Sequence, residues 1–408
     1  MNRQKLHVIS KCEVCNQGYL EPVLNLGLHP MCDDLVSIGD SRECIEYPIE
    51  ILFCKKCITA HQKYQIPKQD LFPNSYHYRS RFTNDVLRGM HALVDSCINQ
   101  YGDLNGKIVL DVGCNDGSLL DFFNNSGATT IGIEPTDAFL DAKEKGHFIY
   151  PNYLSQEIAN EIVSDKGKPD FITFTNVFAH IQDLNEVIQS LKLLSKSSTK
   201  IIIENHYLGS IFQGNQFDTF YHEHPRTYSY NSFKYIAKSL GLSIENIEFP
   251  SRYGGNIRVF LGSDKKSVHN SELDENESKF LQSFIILNEN INKWKKTKEI
   301  FFHDYKIKYG KIKAKAFPGR SAILIKMLGL DENYISAVYE KPGSMKIGQY
   351  VPGTRIPIYS DDVLFEQKVK NQPILNLAWH ISSEIEKYLK ENGYEGKVIN
   401  ILSNGDFN

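Results

Sequence analysis

No stretch of this 408-residue chain approaches the ~20 consecutive apolar residues that a membrane span needs. Its first ten residues contain no apolar core of a secretory signal, so the cytoplasm is the expected location. A broad basic field is missing too: 46 Lys and Arg stand against 49 Asp and Glu, a formal net charge of −3. That balance argues against nucleic acid or an anionic lipid surface as a partner. The dinucleotide-binding pattern GxGxxG is absent, and no internal repeat is visible. Eight cysteines in such a chain are expected as metal ligands or free thiols, not as disulfides.

What is present is ordinary in bulk, 41% hydrophobic and 23% charged. The length predicts two or three domains. The stretch from Lys107 to Leu120 organises the rest. Ile108, Val109 and Leu110 form the short apolar run of a strand covered on both faces. Gly113 and Gly117 then let the backbone approach a ligand where a Cβ would obstruct. Asn115 and Asp116 suit the turn and cap a following helix. In open α/β sheets this turn lies in the ligand crevice. A second strand ends in Glu134, about 20 residues on, where an acid is placed to accept both hydroxyls of a ribose. The Gly-Cys-Asn-Asp-Gly spacing resembles the first motif of the S-adenosylmethionine (SAM) methyltransferases.

The N-terminal segment carries Cys12 and Cys15, then, after 38 intervening residues, Cys54 and Cys57. Two such pairs on sharp turns give a four-thiolate zinc site with no open position, hence a structural one. The segment is short and loop-rich and needs such a staple. Cys32, Cys44, Cys97 and Cys114 lack the spacing and read as small hydrophobes.

Leu71 to Ser80 is aromatic and polar, with Tyr76 and Tyr78; it reads equally as a lid over a substrate or as a connector packing its tyrosines. A helix from about Thr83 to Tyr101 follows. The fourth strand ends at Asn176, with His180 in its exit loop, where both face the sulfonium and acceptor in this fold. The run from Phe220 to Ser229 holds Tyr221, His222, Glu223 and His224, the densest titratable cluster in the chain. Pro225 favours a loop there. An acid/base site, a His-x-His metal site and a hydrogen-bonded loop anchor all fit; acid/base chemistry is favoured because no carboxylate ligands are arranged nearby. Tyr253 precedes a glycine pair, and Arg258 is suited either to a bidentate grip on an anion or to a surface salt bridge. Asp264 to Tyr309 reads as a solvated helix joining domains. The last third alternates strand and helix again as a second, smaller α/β domain. Its loops at 317–320 and 346–358, the latter including Arg355, are basic and rich in Gly and Pro, which suits a diphosphate.

Taken together, the four cysteines, Tyr76 to Ser80, Asp111 to Gly117, Gly132 to Pro135, Asn176 to His180, Tyr221 to His224, Tyr253 to Gly255 and Tyr350 to Ile358 resemble the nucleotide-sugar C-methyltransferases, over nearly the whole chain. The resemblance implies a zinc-binding domain at 1–75, a Rossmann-like SAM-binding methyltransferase domain at 76–260 and a smaller α/β C-terminal domain at 261–408. The sugar nucleotide is implied to lie between the last two domains. It implies His224 as base, with Tyr221, Glu223, Asn176 and His180 around it. SAM falls to Asp111, Gly113, Asn115, Asp116, Gly117, Glu134 and Asn176, and the acceptor to Tyr76, Tyr78, Tyr253, Arg258 and Arg355. The expected acceptor is a 4-keto-deoxyhexose on a nucleotide, methylated at carbon (C3 foremost). O-Methylation of a hydroxyl is the alternative. A non-catalytic binding module would lack the acid or the glycine turn, yet Asp111, Gly113 and Glu134 are all present. Two loops depart from the family pattern, Tyr339 to Ser344 and Gly254 to Asn256, which leaves the sugar open. Beyond that substrate the expected state is a monomer or weak dimer.

Overall fold

The structure, a computed structural model, describes residues 6–72, 78–263, 267–367 and 370–407. Its backbone clusters into two compact units. The first comprises Met1–Pro22, Leu52–Ser210 and Glu223–Leu281, and the second Val23–Ile51, Ile211–His222 and Gln282–Asn408.

In the first unit, strand β1 (Thr59–Gln62) is followed by helix α1 (Asn84–Tyr101). Then come β2 (Ile108–Val112), α2 (Ser118–Asn125), β3 (Thr129–Ile133), β4 (Phe148–Tyr150), β5 (Phe171–Thr175) and β6 (Lys200–His206). The short β7 (Arg226–Thr227) precedes β8 (Ser243–Glu248) and β9 (Asn256–Gly262). A seven-stranded sheet runs in the order β8-β9-β6-β5-β2-β3-β4. Strands β2 to β6 are parallel, with Phe171 opposite Val109 and Ile108 opposite Thr129; β9 is antiparallel to both β6 and β8. Central β2 and β5 are apolar on both faces, as a covered parallel sheet requires. Helix α1 lays Val86, Met90, Leu93, Val94 and Cys97 against Val109, Leu119 and Phe123, so its apolar face repeats at helical spacing.

The second unit carries the long helix α3 (Phe280–Tyr309) and then β10 (Ile312–Lys315), α4 (Ser321–Met327), β11 (Ile335–Glu340), β12 (Ile358–Ser360), β13 (Ile374–Asn376) and β14 (Val398–Asn400). Its five-stranded sheet is parallel throughout, in the order β12-β11-β10-β13-β14. This is the order third-second-first-fourth-fifth, the same that β4-β3-β2-β5-β6 follow in the first unit. Helix α3 corrects one expectation. It is no solvated rod, because Phe284, Leu287, Ile291, Trp294, Lys298 and Phe302 form a buried stripe along it. Trp294 is fully buried and donates its indole N–H to the Ile401 carbonyl at 2.9 Å. Among the described residues, no helix is long and apolar enough to cross a membrane.

Candidate active site

The turn after β2 is built on left-handed backbone. Gly113 has φ of +73°, and a Cβ there would lie 2.5 Å from a Val177 methyl. Only glycine fits both demands. Gly117 has φ of +75° and starts α2. Asn115 adopts φ of +50°, which asparagine tolerates. Its N–H donates to Glu134 Oε2 at 3.0 Å, its Oδ1 accepts from the Ser80 N–H at 3.0 Å, and its Nδ2 donates to the Tyr78 carbonyl at 3.1 Å. Asp116, fully buried, accepts from the Ser118 N–H at 3.2 Å and from the Arg81 N–H at 2.9 Å. The segment from Tyr78 to Arg81 is thus fastened to the glycine turn.

Two buried acids face this turn. Glu134, raised by burial, also accepts from the Thr136 N–H at 2.9 Å and hydroxyl at 2.6 Å. Asp111, at the end of β2, is pushed up to about 7 by burial, while the Thr173 hydroxyl donates to it at 2.7 Å. Asn176 follows β5 with φ of +56°, its N–H bonded to the Glu204 carbonyl at 2.7 Å and its Oδ1 to Asn256 Nδ2 at 3.1 Å.

Behind Asn176 lies a cluster that the sequence did not disclose. Glu204, fully buried, accepts from Arg252 Nε, from Arg258 Nε at 2.7 Å and from Asn256 Nδ2 at 2.8 Å. Burial opposes its charge, yet the two guanidinium groups hold it below the usual carboxylate range. Arg258 is corrected here as an acceptor-binding residue: its other donors go to Glu248 at 2.7 Å and to the Gly89 carbonyl at 3.2 Å. Asn205, also fully buried, accepts from the Ala179 N–H at 3.3 Å, and its Nδ2 finds no partner among the described residues. Tyr78 and Tyr253 do meet, hydroxyl to hydroxyl at 2.7 Å. Tyr76 lies outside the described residues.

His180 and His224 are brought together, ring centroids 4.8 Å apart. Nδ1 of His180 bonds the Glu223 carbonyl at 2.8 Å, and the main chain of Asn176 is a second hydrogen-bond partner of the ring. Burial lowers His180 to about 4, which keeps the ring neutral near pH 7. Glu223 is buried, and His224 is half-buried. Tyr221 and His222 belong to the second unit. There His222, buried and lowered to about 4 by that burial, bonds the Tyr47 carbonyl at 3.1 Å. Arg355 is likewise corrected: its guanidinium holds the carbonyls of Asp40, Ser41 and Arg42 at 2.8 to 3.0 Å, so its fork is filled by main chain.

Among the described residues, Cys12, Cys15, Cys54 and Cys57 are the group of metal-ligating side chains placed to share one ion, with all four sulfurs within 4.8 Å of one another. Cys12 and Cys57 sulfurs are 3.4 Å apart, and Cys15 and Cys54 sulfurs 3.5 Å. Four thiolates at Zn–S of about 2.3 Å sit about 3.8 Å apart at tetrahedral angles, so the donor set fits zinc.

The second unit repeats one relationship. After β10 the chain turns through Ala316, φ +59°, and the Phe317 N–H donates to Glu340 at the end of β11 at 2.5 Å. This is the counterpart of Asn115 and Glu134. Arg320, opening α4, pairs with Asp218 through two bonds of 2.8 and 2.6 Å.

A family model described as "Putative zinc binding domain" matches residues 12–72, one described as "Methyltransferase domain" matches 86–247, and one described as "C-methyltransferase C-terminal domain" matches 251–401. C-methyltransferase NovU of Streptomyces niveus is 26% identical over 402 residues, 94% of either chain. A ubiquinone biosynthesis O-methyltransferase of Glaesserella parasuis is 34% identical over 107 residues, 24% of this chain and 45% of its own. Magnesium protoporphyrin IX methyltransferase (ChlM) from Synechocystis PCC 6803 with bound SAM aligns at a TM-score of 0.34 and 16% identity, over 44% of this chain and 80% of its own. The chain is a SAM-dependent methyltransferase. Along the chain, the match to a zinc-binding domain comes first, the match to a methyltransferase domain follows, and the match to a C-methyltransferase C-terminal domain comes last, over nearly the span that is similar to NovU.

Proposed function

We infer that this enzyme methylates a carbon next to the ketone of a nucleotide-linked 4-keto-deoxyhexose. The observation that carries the reading is the close approach of the His180 and His224 rings, beside Asn176 at the exit of β5. A 4-keto group acidifies the adjacent C–H, and an imidazole near its ordinary pKa is suited to take that proton. His224 removes the proton, and the C–H electrons pass to the ketone oxygen as an enolate. A histidine of the pair donates to that oxygen. Bound SAM supplies an electrophilic methyl on a sulfonium. The enolate carbon would take that methyl, with S-adenosylhomocysteine left in the SAM site, and the imidazolium returns its proton to water.

Asp111, Gly113, Asn115, Asp116, Gly117, Glu134 and Asn176 are the SAM-binding set in this reading, and Glu223 orients His224. Tyr78 and Tyr253 contact the acceptor. The second unit, by itself, offers a nucleotide-binding crevice. Support comes from its sheet order and from Glu340, which ends the second strand as a ribose-binding acid does. Mass spectrometry of the enzyme with SAM and a panel of nucleotide-linked 4-keto-6-deoxy sugars tests the reading. One added methyl that resists mild hydrolysis supports it. O-Methylation of a reduced sugar nucleotide, with no keto sugar reacting, overturns it.

A further inference from the structure

The zinc knuckle and the histidine pair share a single side chain. Arg226 is fully buried and opens the two-residue strand β7, two positions after His224. Its Nη1 donates to Glu13 Oε2 at 2.7 Å and to the Gln182 carbonyl at 3.3 Å. Its Nη2 donates to the Ile181 carbonyl, and its Nε to the Tyr228 hydroxyl at 3.0 Å. Ile181 and Gln182 directly follow His180.

Glu13 sits between Cys12 and Cys15 in the first knuckle. Gln65 Nε2 also donates to its Oε2, at 2.9 Å, and His61 Nδ1 is 3.6 Å from it. The other nitrogen of His61 is 3.4 Å from the Cys12 sulfur. His61 pairs with Arg226 across β1 and β7, and the Gln62 N–H bonds the Pro225 carbonyl at 2.8 Å. Both histidine-bearing segments are therefore referenced to the four-thiolate site, one through the Arg226 guanidinium and the other through its backbone.

We propose that Arg226, anchored by Glu13, is a positioning residue through which the zinc knuckle sets the ring geometry of His180 and His224. The proposal rests on the reading of His224 as base. Arg226 touches neither SAM nor acceptor in this scheme. Its planar fork engages one carboxylate and two successive carbonyls at once, which a lysine ammonium on a flexible stem does not reproduce. Outer partners of a metal site are commonly worth about 10- to 100-fold in affinity or activity when altered.

The test uses the full-length, zinc-loaded enzyme and its Arg226→Lys variant, with histidines labelled with nitrogen-15. Three quantities are read: zinc content, SAM dissociation constant, and the ring-nitrogen signals of His180 and His224. The wild type supplies the reference positions of these ring signals. The variant is expected to keep its zinc and bind SAM within about twofold, to shift the ring-nitrogen signals of His180 and His224, and to show kcat down by about 10- to 100-fold. Glu13→Gln, which keeps the shape of the anchor, is expected to act the same way and decides the matter if Arg226→Lys does not fold. Ring signals unchanged in the folded variants overturn the proposal, whatever the activity. So does loss of folding in both, because the pair then only holds the chain together. The ring signals and SAM affinity are read without acceptor, so a wrong assignment of the acceptor leaves this outcome standing.

Discussion

The ring of His180 stands 4.8 Å from that of His224, and its Nδ1 is fixed on the main-chain carbonyl of Glu223, the residue just before His224. A movement of the His224 loop therefore moves a hydrogen-bond partner of the His180 ring. The two imidazoles are coupled through backbone as well as through ring contact.

His224→Ala is expected to lower kcat by about 10²–10⁴-fold, the range for loss of a general base. The SAM dissociation constant stays near the wild-type value, because His224 is outside the turn formed by Gly113 to Gly117. Calorimetric titration with SAM alongside steady-state kinetics checks both. Full activity in the variant removes His224 from the mechanism.

Stability is expected to fall on mild acidification. His180 and His222 are lowered to about 4 by burial, and His380 to about 3 by burial and by Arg320. Unfolded histidine titrates near about 6.5, so between about 4 and 6.5 the unfolded chain binds more protons than the folded one. The contribution of these rings is complete above that window and is lost as pH falls through it. Asp111, pushed up to about 7, acts in the opposite sense, and Glu134, also raised, joins it. Three histidines outweigh the two acids. The melting temperature should drop between about pH 6.5 and 4.5, and more steeply in Asp111→Asn. A flat profile contradicts the neutral, buried state of the histidines.

Glu204→Gln leaves two buried guanidinium groups facing a neutral amide. Breaking such a cluster from one side costs about 3–5 kcal/mol. Denaturant unfolding of wild type and variant measures it. A loss below about 1 kcal/mol, the scale of an exposed pair, contradicts the buried-network description.

Much of this architecture is legible in the residues themselves. The apolar run at Ile108 to Leu110, the glycines at 113 and 117 and the acid at 134 report backbone geometry and strand burial, which are local properties. The cysteine spacing is likewise local, and its four sulfurs converge. Arg258, Arg355 and Arg226 show what local pattern cannot give. An arginine in a sequence does not reveal whether its fork meets solvent, a ligand, a carboxylate from another strand or main-chain carbonyls. The buried stripe of α3 was masked for a related reason: lysines crowd around Trp294 in sequence, while the apolar positions recur only every three or four residues. The shared strand order of the two sheets needs the pairing partners, which no single segment contains.

The central claim is that a carbon-bound proton leaves before the methyl arrives. Deuterium wash-in tests it most directly: enzyme, S-adenosylhomocysteine in place of SAM, and a nucleotide-linked 4-keto-6-deoxy sugar in D₂O, followed by proton NMR of the ring. The account predicts loss of the signal at the carbon next to the ketone, faster than without enzyme and abolished in His224→Ala. Methyl transfer from SAM to the same sugar with no enzyme-dependent exchange, or with the methyl found on oxygen, contradicts it.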